Sequence, residues 1–174
     1  MKKNRTLFLT AVATGTMLNP LNSSMIALAL HSIQKDFHLS FSTVSWLISS
    51  FYLASAVAQP VTGKLGDIFG RKKTFLTGLI LVALSALGAP LASSFLMLLA
   101  MRLLQSIGSS AIYPSGMALI RDHIKERQAS ALAVLSIFAS AMVALGPTIG
   151  GFLIVLGNWP AIFLPDFFTN SQIH

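Results

Sequence analysis

The most informative stretch of this sequence is 63–73, GKLGDIFGRKK, which lies between two long apolar segments. Its three glycines permit a tight turn between two helices. Asp67 is predicted to lie near the start of the second helix, where the positive end of the helix dipole and the nearby Arg71 favour a carboxylate. A cluster of cations is expected beside a membrane span, whereas the glycine–aspartate–glycine framework within it is not, and that framework is the distinctive feature.

The composition excludes a water-soluble fold. Of the 174 residues, 54% are hydrophobic and only 10% are charged, whereas an average soluble domain carries about 25% charged residues. A spanning helix needs about 20 apolar residues, and in lipid such a run must be helical because a helix pairs its own backbone groups. The sequence predicts an all-α integral membrane protein with five spans, at residues 6–30, 44–63, 74–92, 95–120 and 129–156.

The basic residues predict the orientation of these spans. Ten of the twelve Lys and Arg residues lie in the segments 1–5, 63–73 and 121–127, which alternate with the spans so that all three face the same side. The opposite side holds only Lys35. Because Lys and Arg accumulate in cytoplasmic loops, we expect a multi-pass protein of the cytoplasmic membrane with its amino terminus inside.

Other functional classes lack their sequence signals. The net charge is +7, but the cations stand in short clusters between apolar runs, so no nucleic-acid partner is expected. The sequence has no cysteine, and its four histidines are scattered at or beyond the span ends without metal-ligand spacing. No nucleophile motif is present. We therefore expect no enzyme, no metal site and no cofactor.

Arg102 is the only charged residue within the predicted spans. A charge at the bilayer centre costs about 2.5–3.5 kcal/mol on insertion scales, so it usually faces an aqueous cavity or a polar partner. Gln105, Ser106 and Ser109 follow on the same helical face. The alternative is a packing face of small residues, with an arginine that reaches the lipid headgroups.

Polar residues also interrupt the first two spans. In the first, Asn19-Pro20 and the segment 22–24, Asn-Ser-Ser, predict a broken helix, which is typical of substrate pathways but also of a simple packing kink. In the second, a polar stripe recurs at helical spacing and suits either close helix packing or a wet cavity. The stripe comprises Ser45, Ser49, Tyr52 and Gln59.

The fifth span contains the segment 146–151, GPTIGG. Gly146 and Gly150 form a small-xxx-small pair that lets another helix approach closely, and Pro147 adds a bend.

Three of these segments together resemble the major facilitator superfamily. The stretch 63–73 is similar to the family's G-x-L-x-D-x-x-G-R-K-x motif between the second and third helices, with Ile68 at a position that is often basic. The segment 102–108 resembles R-x-x-Q-G-x-G on the fourth helix, with Ser106 replacing the first glycine. The segment 146–151 resembles the G-P-x-x-G-G antiporter motif, with Met142 at its upstream glycine. Their order resembles the drug:proton antiporter branch, of the fourteen-span type.

The resemblance implies five helices of a six-helix half-bundle and a role in multidrug efflux by substrate/proton antiport. The implied partners are membrane lipid, protons, small amphipathic or cationic substrates and a missing carboxyl-terminal half of the transporter. The implied gating residues are Gly63, Asp67, Gly70, Arg71 and Lys72. The implied proton-coupling or substrate-pathway residues are Arg102, Gln105 and Asn22, and the implied antiporter helix contact comprises Gly146, Pro147, Gly150 and Gly151.

One departure of this sequence from the family pattern concerns proton coupling. Asn22 occupies a position where the branch often has an aspartate, and no Asp or Glu lies in the five spans. Asparagine does not titrate and arginine stays protonated in proteins, so the coupling carboxylate is expected elsewhere.

The resemblance covers residues 1–164, and 165–174 is a divergent tail with too few apolar residues to cross a membrane. We expect an amino-terminal fragment of an efflux transporter that is not competent alone. The alternative is a truncated, non-functional product or a small membrane protein that needs a partner chain.

Overall fold

The computed structural model describes residues 21–123, 128–163 and 165. Within these ranges the chain is helical, with no strand. The described part of the first helix, α1, covers 21–36. The remaining long helices are α2 (Phe41–Phe69), α3 (Arg71–Gly88), α4 (Phe95–His123) and α5 (Gln128–Gly157), with short 3-10 helices at Ala89–Leu91 and Trp159–Phe163. The predicted break at Asn19-Pro20, the segment 6–20 of the first span and the tail from 166 lie outside the described residues.

Four of these helices are long and apolar enough to cross a membrane. The segments are Phe41–Phe69, Arg71–Leu91 (α3 with the 3-10 helix that follows it), Phe95–Leu119 and Ser136–Gly157. The prediction of an all-α, multi-pass membrane fold is therefore confirmed.

The junction between α2 and α3 differs from the predicted loop. Gly63 and Gly66 lie inside α2, which continues to Phe69, and α3 begins at Arg71. The chain turns at Gly70, whose φ of +96° is a conformation that side chains with a Cβ rarely adopt. Asp67 consequently lies in the last turn of α2, and its predicted place near the start of the third helix is wrong. The physical reason is that one glycine suffices to reverse the chain, so α2 keeps its helical hydrogen bonds beyond the apolar segment.

Helices α2, α3 and α4 form the most closely packed part of the molecule, with α4 against both of the others. The buried face of α2 recurs every three or four residues, as expected of a helix with one packed side. It comprises Val44, Leu47, Phe51, Ser55, Thr62 and Gly66. Between α3 and α4 the backbones touch, because a Cβ added to Gly78 would lie 2.7 Å from the carbonyl oxygen of Gly108. This contact holds α4 in the position that brings Arg102 towards α1 and α2.

Candidate functional site

Arg102 on α4 is enclosed by protein, with 2% of its surface exposed. Its Nη1 donates hydrogen bonds to Oδ1 of Asn22 on α1 and, over 2.6 Å, to Oε1 of Gln105 on the next turn of α4. The guanidinium carbon Cζ lies 4.2 Å from the ring centroid of Phe51 on α2. Three helices thus meet at one positive charge. We call Arg102, Asn22, Gln105 and Phe51 the arginine cluster.

Neutral groups of the arginine cluster help to compensate for the burial of the charge. The sequence has five acidic residues, and none lies in a predicted span. Hydrogen bonds from a charged donor are stronger than neutral ones, and an enclosed cation over an aromatic ring gains about 2 kcal/mol. The alternative interpretation was an arginine that reaches the lipid headgroups. The enclosure of the Arg102 side chain by protein does not fit that alternative. Among the described residues, no group of three His, Cys, Asp or Glu side chains could hold a metal ion.

Buried hydroxyl groups continue the arginine cluster along the interface of α2 and α4. Ser106 donates to the carbonyl oxygen of Phe51 over 2.6 Å, and its Oγ lies 2.8 Å from Oγ of Ser55. Nearer the carboxyl-terminal end of α2, Oγ1 of Thr62 donates to the carbonyl oxygen of Ser110 over 3.0 Å. Sequence reasoning placed Ser106 on the face of Arg102 but missed Ser55 and Thr62. Their seven-residue spacing within the buried face of α2 is the signal that could have found them.

The predicted gating residues lie at the junction of α2 and α3, apart from the arginine cluster. Nη2 of Arg71 is 3.5 Å from Oδ1 of Asp67, with 38% and 69% of the two side chains exposed. Asp67 stands at the negative end of the α2 dipole and Arg71 at the positive end of the α3 dipole, so each offsets an unfavourable position of the other. Lys72 is exposed, and a Cβ on Gly63 would meet nothing within 4 Å. The gating role of these residues stays a prediction.

The glycine motif of α5 contacts α1 with two of its four predicted residues. A Cβ on Gly146 would collide with Cβ of Ser24, and one on Gly150 would lie 3.0 Å from Cγ of Met25. Pro147 is exposed, and Gly151 has no neighbouring atom within 4 Å of an added Cβ. The motif therefore brings α5 against α1 through one face only.

A contact between α1 and the segment after α5 was missed by sequence reasoning. We call it the clasp, and it comprises Asp36, Phe37, Asn158 and Trp159. Nε1 of Trp159 donates to Oδ2 of Asp36 over 2.7 Å, and Nδ2 of Asn158 donates to the same oxygen over 3.3 Å. The Trp159 ring lies 5.9 Å from that of Phe37, measured between centroids. The partners are 123 residues apart, so no local pattern could have paired them.

Comparison with known proteins places this geometry in a family. The sequence profile of the Major Facilitator Superfamily matches residues 12–166. The chain is 80% identical over 163 residues to the uncharacterized MFS-type transporter YwoD of Bacillus subtilis (strain 168), covering 94% of this chain and 36% of that protein. It is 35% identical over 156 residues to the tetracenomycin C resistance and export protein of Streptomyces glaucescens, covering 89% of this chain and 29% of that protein.

A third relative is the multidrug resistance protein Stp of Mycobacterium tuberculosis (strain ATCC 25618 / H37Rv), 32% identical over 164 residues. The alignment covers 92% of this chain and 30% of that protein. The chain thus spans about a third of the length of the curated relatives it matches. Since the family profile covers nearly all of its helices, the chain belongs to the Major Facilitator Superfamily.

Proposed function

We propose that this chain supplies the amino-terminal helices of a transporter that exports small amphipathic compounds across the cytoplasmic membrane in exchange for protons. The observation that carries the proposal is the arginine cluster, a charge held by three helices where an isolated charge would be unfavourable. Relatives named for drug resistance and export support the direction of transport. Because the chain spans about a third of these relatives, the activity belongs to a longer assembly.

Within that assembly, Arg102 acts as a fixed positive charge in proton coupling. It cannot release a proton itself, and its partners Asn22 and Gln105 are neutral amides. The titrating carboxylate therefore comes from the remaining portion of the transporter, and Arg102 acts on it by its electrostatic field or by orienting water. This assignment is supported by the 2% exposure of Arg102, which keeps the charge away from bulk solvent.

The junction of α2 and α3 acts as a cytoplasmic gate. Exposed ion pairs contribute about 0–1 kcal/mol, so the contact between Asp67 and Arg71 can open and close at little cost. Such a weak pair suits a latch that must break in every transport cycle. Gly63, Gly70 and Lys72 belong to the same junction. The positive-inside bias supports a cytoplasmic location for it and for the amino terminus.

The pair Gly146 and Gly150 forms the antiporter-type helix contact, with α1 as its partner. The close approach of α5 to α1 closes the gap between these two helices, which flank the central pathway.

The alternative is a product that has no transport activity by itself or that requires a partner chain. The outward faces of α2 and α5 favour this reading for the chain alone, because large apolar side chains there are mostly exposed. Examples are Leu53 and Val57 on α2 and Phe152 and Val155 on α5, each at least 64% exposed. Lipid covers such faces, or the carboxyl-terminal portion of a transporter packs on them.

Expression in a pump-deficient bacterial strain separates these alternatives. The chain alone is compared with a chimera in which it is joined to the remaining part of YwoD from Bacillus subtilis, its 80% identical relative. Accumulation of a panel of cationic, neutral and anionic fluorescent compounds is measured with and without a protonophore. We expect no export by the chain alone and protonophore-sensitive export by the chimera. A chimera that inserts into the membrane but exports no compound of the panel would contradict the proposal.

A further inference from the structure

Pro114 interrupts the backbone hydrogen bonding of α4 inside a membrane-spanning segment. It lies within the segment Phe95–Leu119, and the helix continues past it to His123. A proline has no backbone N–H, so the carbonyl oxygen four residues earlier, that of Ser110, loses its helical donor. Ser110 is completely buried. In a membrane span, the carbonyl freed by a proline is commonly satisfied by a neighbouring helix or a hydroxyl side chain.

A hydroxyl group of another helix supplies this donor. Oγ1 of Thr62 on α2 donates to the carbonyl oxygen of Ser110 over 3.0 Å, and Thr62 is itself buried. Thr62 and Pro114 are 52 residues apart in the sequence, so their pairing is a tertiary contact. The hydrogen bond that Pro114 removes from α4 is thus replaced by one from α2, and this bond constrains the angle at which α4 bends.

The Thr62 hydroxyl group has further acceptors within its own helix. Its Oγ1 lies 2.9 Å from the carbonyl oxygen of Ala58 and 3.2 Å from that of Gln59. A hydroxyl group has one proton to donate, so these oxygens compete with the carbonyl oxygen of Ser110. When the bond to Ser110 breaks, the hydroxyl group donates to Ala58 and stays paired. Only one carbonyl oxygen loses its partner, so the two arrangements differ little in free energy.

The two sides of the proline are held by different contacts. On the amino-terminal side the backbones of α3 and α4 touch, because a Cβ added to Gly78 would lie 2.7 Å from the carbonyl oxygen of Gly108. On the carboxyl-terminal side, a Cβ added to Gly66 of α2 would lie 3.4 Å from Oγ of Ser115, an ordinary van der Waals distance. The segment 114–123 is therefore packed less tightly than the part of α4 before it, and it can change its angle.

We propose that α4 bends at Pro114 and that Thr62 is a positioning residue, which selects between two angles of the segment 114–123. In the first arrangement the hydroxyl group donates to the carbonyl oxygen of Ser110. In the second it donates to Ala58, and α4 bends further. The hydroxyl group acts through the carbonyl oxygen of Ser110 and needs no contact with a transported compound.

This hinge lies beside the proposed gate. Atoms of Ser115 on α4 and of Thr74 on α3 both lie within 4 Å of a Cβ added to Gly66, which directly precedes Asp67. A change in the angle of α4 therefore reaches the junction of α2 and α3. The link to gating rests on the proposed export function, whereas the hinge itself rests on the contacts of the described residues.

A double-mutant cycle tests the bond between the hydroxyl group and the proline gap. Thr62→Val removes the hydroxyl group at nearly constant volume, and Pro114→Ala restores an N–H that can donate to the carbonyl oxygen of Ser110. SDS unfolding of the full 174-residue chain in mixed micelles gives the equilibrium constant of each variant. We expect Thr62→Val to raise the unfolding constant about tenfold in the unmodified chain and less than about twofold in Pro114→Ala. An equal effect in both backgrounds would overturn the proposal.

Ser55→Ala is the matched control on the buried face of α2. The Ser55 hydroxyl group lies 2.8 Å from that of Ser106, at another level of the same interface, and takes no part in the proline gap. Its effect on the unfolding constant should be the same with and without Pro114→Ala. If both α2 variants depended equally on Pro114→Ala, the proline variant would have changed the whole interface and the proposal would be wrong.

Distances between spin labels separate a hinge from a purely structural bond. The sequence has no cysteine, so introduced cysteines are specific labelling sites. The pair Ile80→Cys and Arg121→Cys reports on the segment after the proline, and the pair Ile80→Cys and Leu96→Cys reports on the part before it. All three positions are exposed. In nanodiscs we expect two distances for the first pair, with a ratio that Thr62→Val changes about tenfold, and an unchanged distance for the second pair.

Two further variants complete the distance experiment. Thr62→Ser keeps the hydroxyl group and should restore the distance ratio of the unmodified chain. In Pro114→Ala the ratio should no longer respond to Thr62→Val. If Thr62→Val lowers stability but leaves both distance distributions unchanged, the hydroxyl group is a structural contact only and the hinge is refuted.

These measurements require no transport, so their outcome is separate from that of the chimera experiment. In an exporting chimera, Thr62→Val should reduce export and Thr62→Ser should retain it, at a constant amount of inserted protein. A chimera without export, together with the expected distances, would reject the export function and leave the hinge. Export that does not respond to Thr62→Val would reject the role of the hinge in gating.

Discussion

Two charged sites of this chain, Arg102 and the pair of Asp67 and Arg71, lie in motifs of the same family, yet their surroundings are opposite. Arg102 is enclosed at the meeting point of three helices and donates a hydrogen bond of 2.6 Å to Gln105. Asp67 and Arg71 stand in solvent at the end of two helices, 3.5 Å apart. The buried hydrogen bonds of Arg102 stabilise one side-chain geometry, whereas the exposed pair of Asp67 and Arg71 allows several. The difference shows that this chain keeps its strong polar contacts inside the helix bundle and a weak one at an exposed junction between two helices.

The largest effect is expected from removal of the enclosed charge. Arg102→Met removes the hydrogen bonds that the guanidinium donates to the buried oxygens of Asn22 and Gln105, so we expect the free energy of unfolding to fall by about 2–5 kcal/mol. Arg102→Gln, which retains donors, should recover part of this loss. Unfolding by SDS in mixed micelles measures both. A loss below about 1 kcal/mol for Arg102→Met would remove the contrast between the two regions.

A pair of glycine variants sharpens the comparison of enclosed and open positions. Gly78→Ala puts a methyl group 2.7 Å from the carbonyl oxygen of Gly108, so α3 and α4 must separate, and we expect a loss of about 2 kcal/mol. Gly63→Ala is the matched control in the predicted gating motif, because nothing lies within 4 Å of its added Cβ. It should leave stability unchanged or raise it by about 0.5–1 kcal/mol through lower backbone entropy. Equal effects of the two variants on the SDS midpoint would contradict the packing described here.

Substitutions in the clasp between α1 and the segment after α5 are expected to have an intermediate effect on the free energy of unfolding. Trp159→Phe keeps the ring contact with Phe37 but removes the donor to Asp36, and we expect a loss of about 1–2 kcal/mol. Asn158→Gly, which tolerates the φ of +60° at this position, removes the longer, more exposed hydrogen bond to the same carboxylate and should cost less. The reverse order of the two variants in the SDS assay would assign the clasp to Asn158.

The smallest effect on stability is expected at the junction of α2 and α3. A double-mutant cycle of Asp67→Asn and Arg71→Gln should give a coupling below about 1 kcal/mol, because both side chains are exposed. In the chimera, the same variants should reduce export while the amount of inserted protein stays constant. Coupling as strong as the effect of Arg102→Met would mean that the junction is a rigid structural contact and would contradict its role as a gate.

The sequence predicted the parts of this structure that depend on local spacing. The apolar runs gave the helical membrane fold, and the three-residue interval placed Gln105 beside Arg102. Asn22 was grouped with Arg102 through a family resemblance, since no local rule relates positions 80 residues apart. The clasp of Asp36 and Trp159 depends on tertiary packing and was missed. The boundary between α2 and α3 was wrong because three glycines permit a loop, whereas the backbone required only Gly70 to turn.

The single-residue joint at Gly70 limits how the first helices of this half can move. Only two soft torsion angles, φ and ψ of Gly70, separate α2 from α3. The two helices therefore cannot slide independently, and their relative motion at this end is a rotation about Gly70. Because α2 is 29 residues long, a rotation of about 10° at the pivot carries its far end through about 7 Å. A small rearrangement at this junction is thereby amplified into a large displacement at the opposite end of the helix.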